Sequence, residues 1–338
     1  MIYDFPKLDL HLHLDGSFRL ETLWDLAQKQ KVKLPGDTIE EYRKFLFDCS
    51  NAENVNQYLK MFDDPLKVMQ DRDSLILITK ELIEDLAKQG LAYAEIRFAP
   101  QLHTAKGMSM EEAVEAVLEG RKQGMKANQS IKIGIITCMM SVGDDQVNYK
   151  ENDQTIDVCK KYLGKGVVAL DLAGAEGIVP LSNFGPLFAR ARALDLPIIC
   201  HAGDSQGPDT VRDAIDFQVT RIGHGHHVYD DPELTRELIK KGIALEICPT
   251  SNIQCKTQPS YPKHPAKNLL DQGAKVTINT DNMTLARVTL DDEYDHCLNE
   301  MGFDYNDLIQ VNINSVEASF MPEEDKKAMI KKLKTFIK

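Results

Sequence analysis

The sequence predicts an α/β chain folded as a (β/α)8 TIM-type barrel, with a helical insert after the first strand and further helices at the carboxyl end. Three observations lead there. Eight short apolar runs recur along the 338 residues. Between them lie longer stretches whose apolar residues fall three and four apart, the period of an amphipathic helix. The short runs are nearly continuous in apolar residues, as strands must be when helices cover both faces of a parallel sheet. Eight such strands close a barrel, and barrels of this kind run to about 250 residues or more with insertions. An open doubly wound sheet is the alternative arrangement of the same elements.

The first strand falls at residues 8–12. The long connection behind it, residues 15–90, carries four helical patterns, at 21–30, 40–47, 55–63 and 75–88. Leaving from the carboxyl end of a barrel strand, such an insert lies over the mouth and acts as a lid. The second strand, 92–98, is followed by a helix at 110–125, where Met110, Val114 and Val117 repeat at helical spacing. Strands follow at 131–138, 167–172, 197–200, 220–223, 243–248 and 275–279, with helices at 181–194, 209–217 and 232–241 among them. Residues 305–338 add two helices beyond the eighth strand. No internal repeat and no linker rich in Pro, Gly or Ser divides the chain, so residues 1–338 read as one domain.

Composition narrows the function. Lys and Arg number 40 against 52 Asp and Glu, a net charge of −12. With 43% apolar and 27% charged residues, the chain is an ordinary soluble globular protein. The acidic balance, with no Lys/Arg cluster, excludes nucleic acid and anionic membranes as partners, because both demand a basic footprint. The amino terminus carries Asp4, Lys7 and Asp9 and no long apolar run, so neither a signal peptide nor a spanning helix is expected and the protein is placed in the cytoplasm. The 7 cysteines are widely spaced without a Cys-x-x-Cys pair and read as reduced thiols. The oligomeric state is left open.

The polar residues that carry chemistry gather at the carboxyl ends of the expected strands. The first strand ends in His11-Leu12-His13, the fourth in a segment from Asp171 to Glu176, the fifth in His201-Ala202-Gly203-Asp204, the sixth in Gly223-His224-Gly225 and the eighth in Thr280-Asp281-Asn282. Residues i and i+2 of a strand share a side, so His11 and His13 can converge on one ion. His201 and Asp281, arriving from other strands, complete a set of three imidazoles and one carboxylate, which suits Zn²⁺ with a position left for water. Each signal alone is weak, since a His-x-His pair arises by chance and an Asp at a strand end is commonly a turn residue. Their concurrence on one face of one barrel is what points to a metal. The remaining histidines get plainer readings: His103 and His264 in solvent-facing or capping roles in loops, His296 on a polar helix, and His226 and His227 without a motif of their own. Met140, at a strand's carboxyl end, is a candidate pocket residue.

Taken together, His11-Leu12-His13-Leu14-Asp15-Gly16-Ser17, Asp171-Leu172-Ala173-Gly174, His201-Ala202-Gly203, Gly223-His224-Gly225, Cys248-Pro249-Thr250-Ser251-Asn252 and Asn279-Thr280-Asp281 resemble the adenosine deaminase family of metal-dependent amidohydrolases, over nearly the whole chain. The resemblance implies one Zn²⁺ on His11, His13, His201 and Asp281. It makes His224 the residue that orients the attacking water and stabilises charge on its oxygen, with Asp281 accepting a hydrogen bond from that water. Protonation of purine N1 is assigned by the family to a glutamic acid after His-Ala-Gly; here that residue is Asp204, one methylene shorter. Asn282 stands where much of the family has a second Asp, and its amide donates to purine N7 without needing a shifted pKa. Gly174 offers its backbone N–H to N3. Asp15 matches the residue that binds the ribose 5′-hydroxyl, and as Asp rather than Glu it favours a nucleoside over the free base. Tyr58 and Phe62, one helical turn apart in the insert, present an apolar face to the sugar or are ordinary core.

The resemblance therefore implies hydrolytic deamination of adenosine, and of 2′-deoxyadenosine, to inosine and ammonia in purine salvage. Two other readings stand beside it: a deaminase of another 6-aminopurine, such as adenine or a 5′-modified adenosine, and a purine-nucleoside binding protein whose turnover is weakened by Asp204.

Overall fold

Each expected strand forms in the computed structural model, which describes residues 3–51, 53–142 and 147–337. Residues 1, 2, 52, 143–146 and 338 of the expected domain, residue 52 within the expected insert, lie outside the described residues. The strands are β1 (Lys7–His13), β2 (Leu91–Phe98), β3 (Lys132–Ser141), β4 (Val167–Gly174), β5 (Ile199–Ala202), β6 (Arg221–His224), β7 (Ala244–Ile247) and β8 (Lys275–Ile278). They pair in parallel in the orders β1-β2-β3-β4 and β5-β6-β7-β8. Two seams join these halves. Leu170 of β4 bridges Ile198, its N–H donating to the Pro197 carbonyl at 2.9 Å. At the other seam Leu12 bridges Asp281, with His13 N–H donating to the Asp281 carbonyl and Asp281 N–H to the His11 carbonyl, both at 2.8 Å. The ring therefore closes, which favours the barrel over the open sheet. β3 runs three residues past its expected end because Met140 and Ser141 stay in register with Ala173 and Gly174 of β4.

The segment after β1 is helical. Its helices are Leu20–Gln30, Ile39–Ser50, Val55–Leu59, Asp63–Val68 and Arg72–Lys88, with a 3-10 turn at Lys60–Phe62. The single helix expected at 55–63 is thus shorter, and a second helix starts at Asp63 with Pro65 in its first turn, where the missing N–H breaks no hydrogen bond. Arg72–Lys88 is capped by Asp71, whose carboxylate accepts the Ser74 N–H at 2.9 Å. It packs against Met110–Ala127 in the outer layer of the barrel, so the part of the insert that reaches the site lies before it.

The carboxyl-terminal helix Tyr305–Ala318 packs on β8 and β1. Asn312 there accepts the Leu8 N–H at 3.0 Å and Asn314 donates to the Val276 carbonyl at 2.9 Å. These bonds serve the backbone next to the β8–β1 seam. Glu323–Leu333 packs on that helix in turn. No helix is long and apolar enough to cross a membrane among the described residues.

Candidate active site

Strand alternation brings the side chains of His11 and His13 to one side of β1, with ring centroids 5.4 Å apart. The His201 ring of β5 lies 4.6 Å from His11 and 5.5 Å from His13. Asp281, just past β8, places Oδ1 3.5 Å from His11 Nε2 and 3.4 Å from His13 Nε2. Ligand atoms of His11, His13 and His201 lie within 4.8 Å of one another, as do those of His11, His224 and Asp281. Two backbone features permit this crowding. His224 and Asp281 adopt left-handed φ values of 60° and 59°, unusual for residues with a Cβ and typical of functional strand ends. Gly223 leaves room for two imidazoles, since a Cβ there would come within 3.0 Å of His11 Cε1 and 3.1 Å of His201 Nδ1.

The ring orientations come from buried carboxylates. His11 Nδ1 is 2.8 Å from Glu246 of β7, and His201 Nδ1 is 3.1 Å from Asp171 of β4. Arg97 of β2 bridges both acids at 2.7 Å. Glu246 also receives Arg221 Nε at 2.6 Å, and Arg221 reaches Glu95 at 2.5 Å. All five charged side chains are fully buried. Burial would raise Asp171, but His201 and Arg97 outweigh it and hold the carboxyl at about 2. Burial likewise raises Glu246, and Arg97 and Arg221 keep it well below the usual range. With Nδ1 turned to a carboxylate, each imidazole presents Nε2 to the centre of the barrel mouth, and His11 Nε2 is a buried nitrogen with no hydrogen-bond partner among the described residues. Such a donor set, oriented through its far nitrogens, fits a divalent metal ion. Sequence reasoning missed Arg97, Arg221, Glu95 and Glu246. The available signal was a charged residue inside an apolar strand, which must find a partner once both faces are covered.

Asp204 follows β5 in a turn organised by Glu176 from the loop after β4. One Glu176 oxygen accepts the Gly203 N–H at 2.6 Å, and the other those of Asp204, Ser205 and Gln206 at 3.0, 2.7 and 3.1 Å. The Asp204 carboxylate meets Asn252, Thr257 and His226 at 2.7, 3.0 and 3.2 Å. Burial would raise it, yet His224 and the bond from His226 keep it below the usual carboxylate range. Two histidines depart from their expected exposure. His103 is buried with Nδ1 2.7 Å from the Met69 carbonyl, because the insert folds down onto the turn Pro100–His103. His264 is buried beside Asn252; it does cap, accepting the Ala266 N–H at 3.1 Å, but from inside. His226 is also fully buried and faces Asp204.

A cavity of about 310 Å³ opens beside this cluster. His13, His201, His224, Asp204 and Asp281 line its floor. Asp15, Gly174, Met140 and Asn282 form further wall, and Tyr58 and Phe62 come down from the insert. The Phe62 ring stands edge-on to His13 at 6.3 Å. Gly174 holds φ at +105°, and a Cβ there would fall 2.3 Å from the Ser141 carbonyl oxygen, so only glycine leaves its backbone at this wall. Asp15 Oδ1, the Tyr58 hydroxyl and Asn282 Oδ1 are buried without hydrogen-bond partners among the described residues. Burial, with the Asp281 charge, lifts Asp15 to about 7. A cavity of that volume with apolar walls and a few convergent polar atoms is the form of a small-molecule site. The sequence-named residues thus meet at one place, His11 directly beneath the others.

Residues 6–336 match the family model described as adenosine deaminase. The adenosine deaminase of Haemophilus ducreyi (strain 35000HP / ATCC 700724) is 39% identical over 329 residues, covering 96% of this chain and 95% of its own length. Among solved structures, adenine deaminase from Arthrobacter aurescens superposes with a TM-score of 0.87 at 24% identity, covering 98% of both chains. An amidohydrolase from Burkhoderia ambifaria with bound Zn superposes equally well, at a TM-score of 0.87 and 23% identity, covering 98% of this chain and 90% of that one.

Proposed function

The chain belongs to the adenosine deaminase family, hydrolases of C–N bonds, and we propose that it converts adenosine and 2′-deoxyadenosine to inosine or deoxyinosine and ammonia with one Zn²⁺. The observation that carries this reading is the convergence of three imidazoles, Asp281 and a separate carboxylate, Asp204, on one nucleoside-sized cavity. His11, His13, His201 and Asp281 would hold the ion, whose Lewis acidity brings the pKa of water from 15.7 to about 7.

The other residues serve the reaction that follows. Water adds to C6 while one of its protons passes through the Asp204 carboxylate to N1; its other proton goes to the amino nitrogen, and the C6–N bond breaks to release ammonia. His224 accepts at Nδ1 from Asn252, 3.2 Å away, so its proton sits on Nε2, where it donates to the oxygen bonding to C6. Gly174 N–H and the Asn282 amide would read N3 and N7, and Asp15 the ribose 5′-hydroxyl. Tyr58, Phe62 and Met140 enclose the nucleoside, the helices before Arg72 acting as its lid. The cysteines are free, in keeping with a reducing cytoplasm.

The test is a panel of adenosine, 2′-deoxyadenosine and adenine with zinc-loaded protein, read by released ammonia and the ultraviolet change. Turnover of both nucleosides and little of adenine is expected; all three left intact would refute the reading. Asp204→Ala should lower kcat by about 10²–10⁴-fold, while Asp204→Glu retains turnover.

A further inference from the structure

Asp204 does not offer its two oxygens alike. Oδ1 meets three groups, Asn252 Nδ2 at 2.7 Å, Thr257 Oγ1 at 3.0 Å and His226 Nε2 at 3.2 Å. Oδ2 has no hydrogen bond among the described residues, and Asp204 lines the cavity.

The direction of these bonds follows from fixed donors. Ala266 N–H can only donate, so His264 accepts it at Nδ1 and carries its proton on Nε2, which lies 3.1 Å from Asn252 Oδ1. That sets the Asn252 amide with its NH₂ toward Asp204. On the other flank the Asp204 carboxylate accepts, so His226 carries its proton on Nε2 and its Nδ1 accepts from Gln258 Nε2 at 2.9 Å. The opposite tautomer would set a nitrogen lone pair against a carboxylate oxygen. His226 is fully buried, and its two nitrogens are both used in this way.

An oxygen whose lone pairs already meet three polar groups has none left for a proton. Resting on the deaminase reading above, we infer that His226, with Asn252 and Thr257, occupies Oδ1 so that Oδ2 alone exchanges the proton with purine N1, making His226 a positioning residue for the reaction. A short carboxylate has little reach to spare, and misplacement by about 1 Å costs on the order of a hundredfold in rate. A glutamate would carry its carboxylate about 1.5 Å beyond these three groups and depend on them less.

The experiment is a double-mutant cycle between His226→Leu and Asp204→Glu, with kcat and KM for adenosine measured on zinc-loaded protein and folding followed by thermal unfolding. His226→Leu is expected to lower kcat about ten- to hundredfold with KM changed by less than about threefold, His226→Gln to recover most of it through its N–H, and the loss to shrink severalfold when Asp204→Glu is also present. If His226→Leu does not fold, Thr257→Val removes another contact to Oδ1 and is read in the same way. A chain that turns over adenosine but loses as much kcat with Asp204→Glu as without it overturns this inference alone; a chain that leaves adenosine intact overturns the deaminase reading.

Discussion

Glu293 is fully buried, with its two oxygens 3.0 and 3.3 Å from the Thr250 N–H. Among the described residues no cation pairs with it, and burial pushes the carboxyl up to about 8 against an ordinary 4.5. The folded chain then holds a proton that the unfolded chain releases, so the contribution of this group to stability is most favourable below pH 4.5 and falls as pH rises toward about 8. Glu293→Gln keeps an oxygen for Thr250 and removes the ionisation. It is expected to flatten the loss of stability over that interval and to unfold at higher denaturant than the parent near pH 8; parallel pH profiles from chemical denaturation would count against it. At this scale His11 and His13 could be read from the sequence because strand alternation is local. Glu293 could not, since its burial is decided by packing from distant parts of the chain.

The loops at the barrel mouth owe their shape to side chains from neighbouring elements. Glu176, from the loop after β4, receives four successive backbone N–H groups of the turn after β5, Gly203 to Gln206, as well as the Thr210 hydroxyl at 2.6 Å. A neutral amide has one acceptor oxygen and would set its NH₂ against N–H donors. Glu176→Gln should therefore loosen the turn that carries Asp204, lowering kcat by about ten- to hundredfold while zinc content stays at the parental level. Unchanged kcat would mean that the turn holds itself. Sequence periodicity placed these elements well because helix and strand periods are short-range. The expected helix at 55–63 ended early for a reason equally local, with a new helix beginning at Asp63 and Pro65 in its first turn.

Across the whole molecule, the barrel interior beneath the site is polar where apolar layers would be usual. Arg97 and Arg221 join Glu95, Asp171 and Glu246 from four strands, and two of those acids orient His11 and His201. Arg221 also stacks on Phe320, 4.5 Å from the ring centre, so the carboxyl-terminal segment is part of the same assembly. Arg97→Leu would leave Asp171 without its cation and is expected to destabilise the chain by about 3–5 kcal/mol and to weaken metal binding about 10–100-fold. Chemical denaturation and competition with a chelator measure the two; unchanged values in both would refute the role. By itself the sequence determined the strands, most helices, the family and the strand ends at which histidines and acids gather, because periodicity and contiguous motifs are properties of neighbouring residues. Tertiary structure alone decided which nitrogen of each imidazole faces the centre, which oxygen of Asp204 faces the cavity, and why charged residues inside apolar strands are tolerated. Those outcomes depend on partners from other strands, and a chain meets such partners only when the barrel has closed.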